Sequence, residues 1–484
     1  MTFPVDAGRT ATAIDALAPR IDRVRIVAEG PELDAAAAVW NGAVTHRPAL
    51  IVRCETTADV QHAIRAARGS ELPLSVRGGG HDWAGRAIRP GGLVIDLTRM
   101  RQVSVCGSVA TVAGGATSAD VAEVADRQGL SAATGTVGTV GTIGLSLGGG
   151  YGPFNGRFGL AADNLLSAEV VLADGRVVRA GQSNGGDPEL LWALRGGGGN
   201  FGVVTSAEVA LHSLAEVLTG SFTFPWEQAE QVLRGYGELL GRAPDELTTM
   251  ITLVSDPDGG PMIVVSPTWS GTLADGTAAL AGFAGLGTPL TAAVSSMSPL
   301  AKLREFDGAF PDRAGYAIRT RNFAAFTPGI VSVLLEAYTA RTSPTAFINI
   351  HHFHGAATRT AVESSSFGLR RDHFMVELIE IGAPDKDPLS SDWPWRASVM
   401  LAQHALPGGY PNLLGPDDER QAAAAYGPHT ARLLSVKSRL DPDGVFNATL
   451  LPRRTTAPKA ASKRPARTRV MATPKPDPHR SEGA

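Results

Sequence analysis

The sequence reads as an α/β chain in two parts, and three observations predict it. Short apolar runs alternate with helical repeats through the first 212 residues. Glycine-rich segments break that cadence near residues 78, 141 and 198. From residue 213 to 405 the texture shifts to longer helices alternating with strands, after which the chain turns back toward the first part.

At 484 residues the chain has room for two or three domains around a large core. A net charge of −3 argues against general nucleic-acid binding by the folded body. Two cysteines, Cys54 and Cys106, make no disulfide framework. The start Met1–Asp6 lacks a basic region followed by an apolar core, and no apolar run reaches membrane-spanning length, so a cytoplasmic protein without a membrane partner is expected.

Residues 1–30 mix apolar and charged positions without a firm pattern and read as a peripheral arm. The segment 32–41 reads as a short helix, 49–54 as a strand, and 58–67 as a helix capped by Thr57 with Val60, Ile64 and Ala67 on one face. With the apolar run Leu74-Ser75-Val76 this makes a βαβ start. Strands at 93–97 and 110–113 and a helix capped by Ser118 repeat the cadence, which again reads as α/β. A hairpin over 165–178, a short helix at 187–195 and a strand at 201–205 close a domain assigned to 31–212.

In the second domain, 213–405, helices are expected at 226–240 and 329–340, and strands at 247–254, 262–269, 345–354 and 373–379, forming a sheet able to roof the first domain. Residues 406–452, with helical stretches at 417–426 and around 433–437, return to the first domain. The Lys- and Arg-bearing tail 453–484, set among Pro, Ala, Ser and Thr, reads as disordered and solvated.

The chemistry centres on Arg77-Gly78-Gly79-Gly80-His81-Asp82, directly after an apolar run. Three glycines let backbone N–H groups wrap an anion without Cβ interference. A loop that cradles a diphosphate and then presents an imidazole is what a covalently tethered flavin needs; a tight turn with an incidental ring is the alternative. The segment 134–152 holds too many glycines for a packed helix of ordinary stability, yet Val140, Ile143, Leu145 and Leu147 make it too apolar for a linker. Neither it nor 196–202 fits a nicotinamide fingerprint, which needs a preceding strand, a long helix and an acidic residue about twenty positions on. His352 and His354, at i, i+2 on one strand, share a face. No third metal ligand is evident beside them, and no metal is expected.

Five ordered motifs carry a resemblance. They are Arg77–His81, Gly135–Gly152, Phe158–Asn164, Leu194–Thr205, and the ending that runs from Tyr426-Gly427 to Asp441–Phe446. Across roughly residues 40 to 452 the sequence resembles the berberine-bridge-enzyme-like flavin oxidases of the vanillyl-alcohol-oxidase and p-cresol-methylhydroxylase superfamily. The resemblance implies an α+β fold, a two-part FAD-binding domain of the p-cresol-methylhydroxylase type with an inserted α/β substrate domain, an antiparallel sheet with helices. FAD would be held by Arg77, Gly78, Gly79, Gly80, His81, Asp82, Gly135, Thr136, Val140, Gly141, Thr142, Gly144, Gly149, Gly150, Gly202, Val204 and Asn412. His81 would bond to the 8α carbon of the ring system.

Many relatives carry a second link through a cysteine at the position that Val137 fills here, so a single link through His81 is expected, as in 6-hydroxynicotine-oxidase-like members. Val140 stands where similar oxidases keep a small residue that lets oxygen reach the flavin. Of the family's Tyr-x-Asn-Tyr motif, Tyr410-Pro411-Asn412-Leu413 keeps one tyrosine. A phenol with a pKa near 10 needs help to act as a base. Tyr410 is the first candidate base, Tyr151 the second, and His352 a third proton-transfer candidate.

The activity implied is an oxidase moving hydride from a C–H beside a hydroxyl or amine of a small molecule (a sugar, an alkaloid or another natural product) to flavin, with oxygen giving hydrogen peroxide. The alternatives are a dehydrogenase using another acceptor, or a flavin- or ligand-binding protein without turnover.

Overall fold

A computed structural model describes residues 6–183, 185–383 and 392–452. The basic tail assigned to 453–484 lies outside the described residues.

Three sheets organise the chain. The first places the strands Ile26–Val27, Leu50–Arg53, Leu93–Asp96 and Leu74–Arg77 in that order. The last three are parallel and almost wholly buried. Leu93–Asp96 lies between the two strands of the expected βαβ unit, so these are not neighbours. Helix Thr57–Gly69 packs on this sheet.

The helix begins one residue earlier than expected, and the physical reason is a reciprocal cap. Thr56 Oγ1 accepts the Asp59 N–H at 3.2 Å, and the Asp59 carboxylate accepts the Thr56 N–H at 3.0 Å. The same device at Thr117 and Asp120 displaces the second cap from Ser118.

The expected N-terminal arm is instead part of the core. Residues Ala7–Leu17 form a helix that buries Thr10, Ala13 and Leu17, and Leu17 and Ile21 join the cluster under helix Thr57–Gly69. Ile14 and Leu17 are the helix's two large apolar residues, too few to make the period plain in the sequence.

The second sheet is antiparallel, which corrects the α/β reading of the second cadence. Its central strand Val203–Ser213 pairs with Val109–Ala113 and Leu165–Val171, and at its far end with Leu130–Ala132. Val103–Cys106 and Val177–Ala180 complete it. Glycine does not prevent a helix in the segment 134–152 either. Thr142–Leu147 is helical, with Gly144 its single interior glycine and Ile143 and Leu147 buried beneath it.

The third sheet has seven antiparallel strands among the described residues, ordered Thr291–Met297, Val217–Pro225, Pro261–Trp269, Leu247–Ser255, Ala346–Phe353, His373–Gly382 and Gly315–Phe323. Helices Ala229–Leu240, Leu273–Ala284, Pro328–Thr339 and Trp393–Leu401 share one core with it. Residues of one parity, Ile348, Ile350, Val376 and Leu378, enter that core. The opposite parity, Asn349, His351, Glu377 and Ile379, faces a cavity.

Candidate active site

The glycine loops wall that cavity on one side and the free face of the seven-stranded sheet walls it on the other. The loops reach it because their backbones press together. A Cβ on Gly141 would stand 2.5 Å from the Gly79 nitrogen, and one on Gly79 would overlap the Gly141 backbone. Gly114 is as tight, since its Cβ would lie 2.5 Å from the Val204 carbonyl oxygen. Gly78, Gly79, Gly80, Gly135, Gly141, Gly144 and Gly202 border the cavity together with Thr136, Val140 and Val204. The C-terminal segment adds Phe446–Thr449, which Asn200 fastens by accepting the Ala448 N–H at 2.8 Å and donating to Thr449 Oγ1 at 2.7 Å.

His81 borders this space half-buried, with Nε2 2.9 Å from Thr139 Oγ1 and its ring stacked on Trp40 at 5.0 Å. Burial pushes its imidazole down to about 4, so the ring is neutral at pH 7. Asp82 lies beside it, paired with Arg86 at 2.8 Å.

Not every expected cofactor residue faces the cavity. Arg77 turns away, bonding the Asp96 carboxylate at 2.5 Å and the carbonyl of Ala36, and so braces the loop from behind. Thr142 is buried with its hydroxyl unpartnered. Gly149 abuts Tyr410 and Phe367, and the Gly150 N–H donates to the Tyr410 oxygen at 2.5 Å.

The chemistry-bearing groups gather opposite the loops. Tyr151 donates its hydroxyl to one oxygen of Glu377, and His351 Nε2 lies 3.1 Å from the other. Burial raises the Glu377 carboxyl, but His351 and the hydrogen bonds from His351, Tyr151 and Asn349 outweigh it and hold the carboxyl below its usual range. Burial and the Glu377 charge push the Tyr151 phenol well above its usual value. Tyr410 also reaches the cavity, its ring 5.3 Å from that of Tyr151, and burial keeps its phenol protonated. Asn412 borders the cavity and donates to the Leu145 carbonyl at 2.9 Å.

His352 is corrected by strand parity. It lies on the helix-facing side, stacked on His354 at 4.2 Å and on Phe374 at 4.7 Å, while its neighbour His351 faces the cavity. Glu377 escaped the sequence reading although a signal was present, a carboxylate set within the apolar run 374–379. Among the described residues no cluster of three His, Cys, Asp or Glu could hold a metal, and no described helix is long and apolar enough to cross a membrane.

A wall stripped of side chains by its glycines, next to a neutral imidazole, fits a dinucleotide with a flat ring system. The FAD binding domain model matches residues 48–181, and the protein is an FAD-linked oxidoreductase. It resembles the berberine-bridge-enzyme-like enzymes of the vanillyl-alcohol-oxidase and p-cresol-methylhydroxylase type, and it has their α+β FAD-binding fold with an antiparallel sheet.

Among its relatives, (R)-6-hydroxynicotine oxidase of Paenarthrobacter nicotinovorans is 36% identical over 287 residues, covering 58% of this chain and 62% of that one. The FAD-linked oxidoreductase aurO of Gibberella zeae is 28% identical over 426 residues, covering 86% and 83%. The crystal structure of 6-hydroxy-D-nicotine oxidase from Arthrobacter nicotinovorans superposes with a TM-score of 0.80 at 27% identity, covering 88% of this chain and 96% of that one.

Proposed function

We propose that the protein is an oxidase with FAD attached through His81 alone, oxidising a C–H next to a hydroxyl or amine of a small molecule and reducing oxygen to hydrogen peroxide. The observation that carries this reading is the pairing of Tyr151 and His351 on the buried Glu377, across one cavity from the glycine loops and His81. Bound FAD supplies the hydride acceptor and the route of electrons to oxygen. The glycines at 78–80, 135, 141, 144 and 202 would hold its diphosphate and ring edges, and the neutral His81 ring keeps a lone pair for the covalent bond. Val137 and Val140, both on the cavity wall, leave no cysteine for a second link and little bulk against oxygen.

Glu377 is ionised at neutral pH and Tyr151 is not. A substrate O–H or N–H set at the phenol gives its proton to the Tyr151 oxygen while the phenol's own proton passes to Glu377. His351 steadies the carboxylate from the other side. Tyr410 already accepts the Gly150 N–H and sits in an apolar setting, so it shapes the wall while the Tyr151–Glu377 pair takes the base's role.

Acid precipitation followed by peptide mass mapping tests the attachment. Flavin mass is expected on the His81 peptide of the wild type and on no peptide of His81→Ala. Oxygen consumption with stoichiometric peroxide tests the acceptor. A reduced flavin that oxygen fails to reoxidise refutes the oxidase assignment in favour of a dehydrogenase.

A further inference from the structure

The free face of the seven-stranded sheet is laid out in rows. Thr320, Glu377, Asn349 and Thr252 are aligned across four strands and form a polar row. Two residues along, Ile318, Ile379 and Phe347 form an apolar row. Loop residue Phe310 leans on Phe347 with ring centroids 6.0 Å apart, and Phe306, Phe310, Ile318, Ile379 and Leu413 border the cavity.

The polar row is largely satisfied within itself. Thr252 donates to Asn349 at 2.9 Å, and Glu377 accepts from Tyr151, His351 and Asn349. The charged or titratable groups bordering the cavity among the described residues are His81, the paired Asp82 and Arg86, His351, Glu377 and the two tyrosines. None is a free cation for a carboxylate or phosphate.

Building on the oxidase reading, we propose that the substrate is a compact apolar ring compound carrying one hydroxyl or amine, and not a sugar. Its heteroatom meets Tyr151 and Glu377, and its body lies along Ile318, Ile379 and Phe310, which set the specificity. A sugar brings several hydroxyls, and each one facing Ile318, Ile379 or Phe310 gives up its water for nothing. A ring compound with one polar group leaves no such debt and buries its apolar face.

The test uses the flavin-bearing enzyme without oxygen, following the flavin absorbance after mixing with 1-phenylethanol, N-methylbenzylamine, glucose or cellobiose. At least one ring compound is expected to bleach the flavin at least about a hundred-fold faster than either sugar at equal concentration. Acetophenone, the ketone of 1-phenylethanol, reads binding without turnover by shifting the flavin spectrum. Ile379→Asn is expected to weaken that shift about ten-fold and to raise the half-saturating substrate concentration in parallel, with the lesser effect on the limiting rate.

Faster bleaching by a sugar overturns the substrate assignment and leaves the oxidase reading standing. Bleaching by none of the four, with no acetophenone shift, also overturns it. The oxidase reading is tested separately, since it fails when flavin reduced by dithionite is not reoxidised by oxygen.

Discussion

Glu377→Gln isolates the proton-transfer step, because the amide keeps the carboxylate's size and strand position while losing its charge. In the wild type the carboxylate accepts from Tyr151 on one oxygen and from His351 on the other. The amide keeps one acceptor oxygen and turns an NH₂ toward the second donor, so one buried hydrogen bond is lost at a cost of about 1–3 kcal/mol. That lowers the melting temperature by a few degrees and leaves the chain folded. The kinetic effect is larger, because loss of a positioned base slows the chemical step by about 10²–10⁴, or roughly 3–5 kcal/mol of barrier.

The assay is rapid mixing of enzyme and substrate without oxygen, with flavin content and melting temperature measured on the same preparation. In the wild type the base must be ionised, so the limiting rate falls only as pH drops through the lowered Glu377 value. A variant with full flavin content whose reduction rate stays within about three-fold of wild type would refute the assignment, since general-base catalysis is worth far more.

Gly79→Ala is expected to lose most of its flavin, because the new Cβ meets the rigid backbone of Gly141 and no flexible side chain can yield; the bound absorbance per protein measures it. Tyr410→Phe leaves the buried Gly150 N–H without its acceptor and is expected to cost about 1–3 kcal/mol in urea unfolding, while flavin reduction stays within about ten-fold. Burial holds the His373 imidazole down at about 4, against an unfolded value near 6.5, so below pH 6.5 the unfolded chain binds a proton that the native state refuses. Stability from this group is complete above pH 6.5 and is lost as pH falls toward 4, about 3 kcal/mol in all; His373→Gln is expected to flatten that part of the unfolding profile.

Local chemistry was legible where its cause lies within a few residues. The strand at 50–53, the helix from 57 and the glycine loop before His81 follow from short-range pattern, and the one-residue error at each of the two caps came from overlooking the acid three positions on. Parity was harder. The pair His352 and His354 share a face as expected, but which face meets the cavity depends on the helices packed behind Ile348 and Ile350. Strand Gly315–Phe323 went unread because its arginines look solvent-facing. Their partners, Asp417 for Arg319 and the Ser398 carbonyl for Arg321, lie far along the chain. Strand Thr291–Met297 is exposed along nearly its whole length and so shows no alternation to detect.

The stretch Phe446–Thr449 borders the same cavity as Gly78–His81, although most of the chain separates the two in synthesis. Asn200, on the third glycine loop, ties that wall down through Ala448 and Thr449. The cavity wall is accordingly a joint product of two distant stretches, and neither the glycine loops nor residues 446–449 enclose it without the other.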